Sequence, residues 1–131
     1  MKIAFYLENK NLSNIDCSNI ENGNPGIGGT EYIIQATIYY LTKLAPQYHI
    51  VLGAQCIDNI PPIPYYKKTD SISELIKDEK PDYIIFKYEP YLYKEASICA
   101  KESNTKLIPW AHNFIKRSEL TTLANNPLVT R

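Results

Sequence analysis

Asn24-Pro25-Gly26-Ile27-Gly28-Gly29-Thr30-Glu31 is a glycine-rich turn that opens the longest amphipathic segment of the chain. Three glycines within four residues allow positive φ and let a ligand or another backbone approach closely. Where such a turn feeds a helix, the unpaired N–H groups of the first turn and the positive end of the helix dipole converge, and that spot suits a phosphate or another anion. The same turn also serves simply to reverse the chain tightly. Neighbouring segments have to decide between the two.

Upstream, Lys2-Ile3-Ala4-Phe5-Tyr6-Leu7 is an almost continuous apolar run, the pattern of a strand buried on both faces of a parallel sheet. Residues 8–29 are rich in Asn, Ser, Gly and Asp without periodicity and form a long loop. Downstream, Ile33, Ile34, Thr37, Ile38, Tyr40, Leu41 and Leu44 recur at helical spacing, which predicts one buried face on a helix over 30–44. Thr30 is the expected N-cap, and Glu31 complements the dipole. Its carboxylate is expected to turn away from a bound anion. A second apolar run at 48–53 completes a strand–helix–strand unit with parallel strands.

The rest of the chain continues the alternation. Pro61, Pro62 and Pro64 demote 60–66 to an extended connection with at most an edge strand at 63–66. Ser71 and Glu74 have capping-box spacing for a short helix that ends before Pro81. Residues 82–87 read as a third buried strand, and Pro90 opens a helix to about Ser103 with Leu92, Ala96, Cys99 and Ala100 as its stripe. A strand over 105–111 carries Pro109, which removes a ladder donor, and its tip is His112-Asn113. A polar helix over 116–125 precedes the apolar run Pro127-Leu128-Val129, expected to be the start of a further strand in a domain that continues past Arg131. The fold class is α/β, a doubly wound, mostly parallel, Rossmann-like sheet in one domain over 1–131.

With 14 basic and 14 acidic residues, no net field favours nucleic acid or an anionic membrane. The three cysteines, about 40 residues apart, lack metal-ligand spacing and read as reduced thiols of a cytoplasmic protein. No apolar run reaches the roughly 18 residues of a membrane span. The eleven tyrosines are read as packing residues with wet hydroxyls.

Ligands of such sheets bind outside the carboxyl ends of the strands. Three tips meet there: the 26–31 turn, Lys87-Tyr88-Glu89 and His112-Asn113. A dinucleotide fingerprint is disfavoured, because the glycines lie about 20 residues beyond the first strand and Glu31 takes the third glycine position. The GK[ST] of a phosphate-binding Walker loop is absent. A receiver domain fails because Lys87 stands where its phosphorylated Asp would be, and the first strand ends without an acidic pair.

The apolar first strand, the long loop, Gly26-Ile27-Gly28-Gly29-Thr30-Glu31 opening a long helix, Lys80-Pro81-Asp82 before a hydrophobic strand, and a strand ending in His112 together resemble the N-terminal domain of a GT-B glycosyltransferase of the group 1, or family 4, type. The resemblance spans most of 1–113, with the Gly-Gly-Thr-Glu step its most specific part. It implies two facing Rossmann-like domains. The C-terminal one holds the nucleotide-sugar donor and the N-terminal one the sugar or lipid-linked acceptor, with no metal and no permanently bound cofactor. Gly28 and Gly29, with Thr30, would face the donor diphosphate; His112 would contact the transferred sugar; Lys87 and Asn113 would lie on the acceptor side.

Family members commonly end the Pro-Asp strand in His, where this chain has Lys87-Tyr88-Glu89. Without the donor domain the chain is expected to transfer no sugar. A lipid-linked acceptor would bring the whole protein to a membrane surface, and an exposed sheet edge could pair two copies. The alternative is a free-standing, non-catalytic module that binds a nucleotide, a phosphate or a partner.

Overall fold

The computed structural model describes residues 1–111 and 115–130. His112 and Asn113 lie outside the described residues. Five strands, β1 (Lys2–Leu7), β2 (His49–Ala54), β3 (Tyr66–Lys68), β4 (Tyr83–Lys87) and β5 (Lys106–Trp110), form one all-parallel sheet in the order β3-β2-β1-β4-β5. Four helices flank it: α1 (Gly29–Leu44), α2 (Ile72–Glu79), α3 (Pro90–Ser103) and α4 (Arg117–Ala124). This is the doubly wound α/β class expected from the sequence.

Central β1 alternates between two cores, as its unbroken apolar run requires. Phe5 and Leu7 join Ile34 and Ile38 of α1 on one face, while Ala4 and Tyr6 join α2 and α3 on the other. Leu123 of α4 also packs against that second face. The proline-rich connection stands in for a helix beside α1, where Ile60 and Ile63 are buried in the α1-side core. The edge strand β3 is only three residues long and begins at Tyr66, a little later than expected; Lys67 and Lys68 blunt that edge.

Pro109 fits β5 because of register. Lys106 N donates to Asp82 O and Tyr88 N donates to Trp110 O, so even-numbered residues of β5 bond to β4. Leu107 points its backbone the other way, donating to Leu128 O at 2.7 Å and accepting from Thr130 N at 2.9 Å. Pro109 shares the outward parity, and its missing N–H interrupts nothing on the β4 side. The terminal apolar run thus meets β5 through one parallel bridge, Leu107 to Val129.

Two local expectations are corrected. The helix cap is Gly28, whose carbonyl accepts from Tyr32 N at 3.0 Å, and Thr30 sits inside the first turn. The expected apolar stripe of α1 is only partly buried: Ile34 and Ile38 are, but Leu44 is 80 % exposed, and Ile33 and Tyr40 also face outward. The flank opposite them is covered instead, so that polar Gln35 is buried and lies against Cys17 of the long loop.

Ser71 caps α2 by accepting from Glu74 N at 3.2 Å. The other half of the capping box is relayed: Glu74 accepts from the Thr69 hydroxyl at 2.6 Å, and Thr69 Oγ1 accepts from Ser71 N at 3.2 Å. Glu95 of α3 ties the two helices together, accepting from Ser71 Oγ, Ser73 N and Ser73 Oγ at 2.7–3.1 Å. Burial pushes its pKa up, but the hydrogen bonds from Ser73 and Ser71 outweigh this and hold the carboxyl below its ordinary range. As pH falls, the unfolded chain therefore takes up this proton first. The stabilisation is complete above the ordinary glutamate pKa of about 4.3 and is lost as pH falls through the lower folded value. Melting followed by circular dichroism from neutral pH to about pH 3 should show a smaller fall in midpoint for Glu95→Gln than for the unaltered chain.

Candidate functional site

The order β3-β2-β1-β4-β5 places the topological switch point between β1 and β4, since the connections leaving these neighbours run to α1 on one face and α3 on the other. A crevice of about 240 Å³ opens there, at the carboxyl ends of both strands. Its walls come from the end of β1 (Tyr6, Leu7, Glu8), the loop (Asn11), the first turns of α1 (Glu31, Ile34), the tip of β4 (Lys87, Glu89) and the start of α3 (Tyr91, Leu92).

The glycine turn is shaped by Asn24. Its Oδ1 accepts from the N–H groups of Gly26 and Ile27, each at 2.9 Å, and its Nδ2 donates to Ile27 O at 3.0 Å. Gly26 is the one glycine of the turn with positive φ, at 98°. Gly28 and Gly29 need no positive φ, and of the two only Gly28 is short of space. A Cβ on Gly28 would lie 2.2 Å from Glu31 Oε2, whereas one on Gly29 would meet no heavy atom within 4 Å among the described residues.

Contrary to the expectation that Glu31 turns aside, its carboxylate folds back over the N-cap residue and meets Lys87 Nζ at 3.4 Å. Lys87 Nζ also lies 3.5 Å from Glu89 Oε1. Burial alone would lower the Lys87 pKa, but Glu31 and Glu89 outweigh it and hold the ammonium above its ordinary value. On the opposite wall the Tyr91 hydroxyl donates to Glu8, and its pKa is pushed up to about 12, by burial first and then by Glu8. Tyr6 is raised further by burial and by Glu8, Glu95 and Asp70, so its phenol stays protonated. Among the described residues the crevice thus holds three carboxylates, Glu8, Glu31 and Glu89, against the one ammonium of Lys87.

Behind this wall, buried Asn9 staples the ends of β1 and β2. Its Nδ2 donates to Cys56 O at 2.7 Å, and its Oδ1 accepts from Cys56 N at 2.8 Å. Cys17 N donates to Asn59 O, and Asn59 Nδ2 donates to Ser13 O, so the long loop is anchored on the 55–60 segment.

Of the residues singled out in the sequence, Gly28, Gly29 and Thr30 lie in the cap and first turn of α1, and Lys87 lines the crevice beside them. His112 and Asn113 lie two and three positions after Trp110 and fall outside the described residues; Trp110 itself is paired with Lys87. Tyr6, Glu8, Asn11 and Tyr91 were not singled out, and only Tyr6 and Glu8 carried a usable signal, their place at the carboxyl end of a central strand. No group of three His, Cys, Asp or Glu side chains among the described residues is placed to hold one metal ion, and no helix there is long and apolar enough to cross a membrane.

Comparison with protein-family models, with curated proteins and with solved structures yields no match.

The approach to the N-terminus of α1 is held by the chain's own carboxylate. Glu31→Gln should therefore raise the affinity of this helix end for added inorganic diphosphate about two- to fivefold, the equivalent of about 0.3–1 kcal/mol for one charge at a helix end. Calorimetry at low and high salt checks this, and the gain should shrink as salt rises.

Proposed function

We propose that this chain is the acceptor-side domain of a glycosyltransferase that moves a sugar from a nucleotide-sugar donor to an acceptor hydroxyl. The carrying observation is that the crevice at the switch point lies beside the glycine-opened N-terminus of α1 and Lys87. An acceptor in the crevice would present a hydroxyl oxygen to the anomeric carbon of a donor held by a second domain. As the new C–O bond forms, the bond to the diphosphate would break, negative charge would grow on the leaving phosphate, and the acceptor hydroxyl's proton would pass to that phosphate. The N–H groups of Gly28, Gly29 and Thr30 would meet that charge, and Lys87 would follow once Glu31 releases it. In this proposal His112 contacts the transferred sugar and Asn113 the acceptor, both carried by the family resemblance.

A half-site has a clear experimental signature. Titrated with UDP and GDP in a calorimeter, the chain should bind in the millimolar range, and incubation with UDP- and GDP-sugars should release no nucleotide. Steady turnover of any such donor would sink the half-site claim. Micromolar binding of UDP or GDP would mean that the glycine turn is a complete nucleotide site, and the chain would then be a free-standing binding module.

A further inference from the structure

Tyr6 is 2 % exposed, lines the switch-point crevice, and its hydroxyl has no hydrogen-bond partner among the described residues. Leaving a buried hydroxyl unpaired costs about 1–3 kcal/mol. The carboxylate felt most strongly by this phenol is Glu8, ahead of Glu95 and Asp70, and Glu8 and Tyr91 line the same crevice as Tyr6.

We infer that the crevice binds one ring of a neutral, hydroxyl-rich sugar through the Tyr6 hydroxyl and the carboxylates of Glu8 and Glu89, and that it discriminates against sugars carrying a carboxylate or a phosphate. The inference rests on the acceptor-side reading for its place in a reaction and names the chemical class of that acceptor.

The donor and acceptor inventory selects the class. Tyr6 offers a proton and lacks an acceptor. Glu8 already accepts from Tyr91 and has lone pairs to spare, and the Glu89 carboxylate shares Lys87 with Glu31. An ammonium could only donate, which leaves Tyr6 unmatched. A phosphate or carboxylate could only accept, and it would face three carboxylates with one ammonium already flanked by two of them. A sugar hydroxyl both accepts from Tyr6 and donates to a carboxylate. The volume of about 240 Å³ falls below the roughly 300–1,000 Å³ of pockets for drug-sized ligands and limits the occupant to about one ring. Tyr91, 56 % exposed, adds an aromatic side chain to the lining, a surface on which the C–H side of such a ring can pack.

The test is amide-shift mapping of the 15N-labelled chain with methyl glucoside, methyl galactoside, methyl mannoside and N-acetylglucosamine. Glucosamine, glucuronate and glucose 6-phosphate serve as charged comparators. Expected is millimolar binding of at least one neutral sugar, with shifts at residues 6–11 and 87–92, and at least about tenfold weaker binding of both anionic sugars. Tyr6→Phe should weaken the neutral sugar about two- to tenfold, the range of one net hydrogen bond. It should leave the unfolding midpoint unchanged or raised, because no partner within the chain is lost.

Four results would overturn the inference: no shift in the crevice with any neutral sugar, anionic sugars bound as tightly as neutral ones, glucosamine bound more tightly than the neutral panel, or Tyr6→Phe binding like the unaltered chain. The outcome is separable from that of the transferase reading. Neutral-sugar binding together with micromolar UDP binding removes the half-site and keeps this inference; millimolar UDP binding with an empty crevice does the reverse.

Discussion

Replacing Gly53 by valine should produce the largest loss of stability of any single substitution in the sheet. A Cβ at Gly53 would lie 2.5 Å from Leu75 Cδ2 and 2.9 Å from Cδ1, and Leu75 is fully buried between α2 and β2. Its methyl groups have no free volume to retreat into, since Val51, Ile72 and Ile76 share the same core. Over-packing of this kind costs about 1–3 kcal/mol for a small insertion, and the two further methyls of valine exceed that. The mechanism makes its own control. Leu75→Ala alone opens a cavity and should cost about 2–5 kcal/mol. Gly53→Ala combined with Leu75→Ala should cost less than the two single changes added together, because the new methyl enters the space the leucine leaves. Urea unfolding of the four chains measures the coupling; strict additivity would show that α2 does not rest on Gly53.

Asn9→Ala should cost about 1–3 kcal/mol, because it strips both backbone groups of Cys56 of their partner at once. Asn9→Asp is the sharper variant. It keeps the acceptor for Cys56 N–H but turns a carboxylate oxygen toward Cys56 O in place of a donor, so it should destabilise as much as alanine despite its similar shape. The consequence reaches the site, since Asn9 begins the loop that ends in the glycine turn. Hydrogen exchange should show lost protection at the Cys56 amide together with faster exchange through residues 9–28. Loss confined to global unfolding would contradict the local staple.

The strands of this fold are legible because both faces of a central parallel strand must be apolar, and 2–7 and 82–87 are written that way. Periodicity was less faithful on α1. It reports how wide an apolar arc is, not how much of it is covered, and the arc through Ile33, Tyr40 and Leu44 extends past the edge of the contact with β1 and β2. Pro109 counts against a strand only when its parity is unknown; once Leu107 is seen to bond outward, the proline is at home. In the site, glycine spacing led to Gly28 and Gly29, and a charged strand tip led to Lys87. The rest was hidden by distance in sequence. Glu8 and Tyr91 meet across 83 residues, through a neighbour relation between β1 and β4 that no local pattern records. The folding back of Glu31 depends on the same relation, because it is Lys87 of β4 that meets the carboxylate.

The crevice and the glycine-opened helix end are thus two halves of one surface, with Glu31 and Lys87 at their seam. If that surface is the acceptor side of a sugar transferase, a nucleotide diphosphate should touch the helix end weakly and nothing else. Titrating the 15N-labelled chain with UDP tests this most directly. Expected are fast-exchange shifts at the amides of Gly28, Gly29, Thr30 and Lys87, a millimolar Kd, and larger shifts at equal UDP in Glu31→Gln. Shifts centred away from the α1 N-terminus, or none at these four amides at saturating UDP, would contradict the assignment of this surface to sugar transfer.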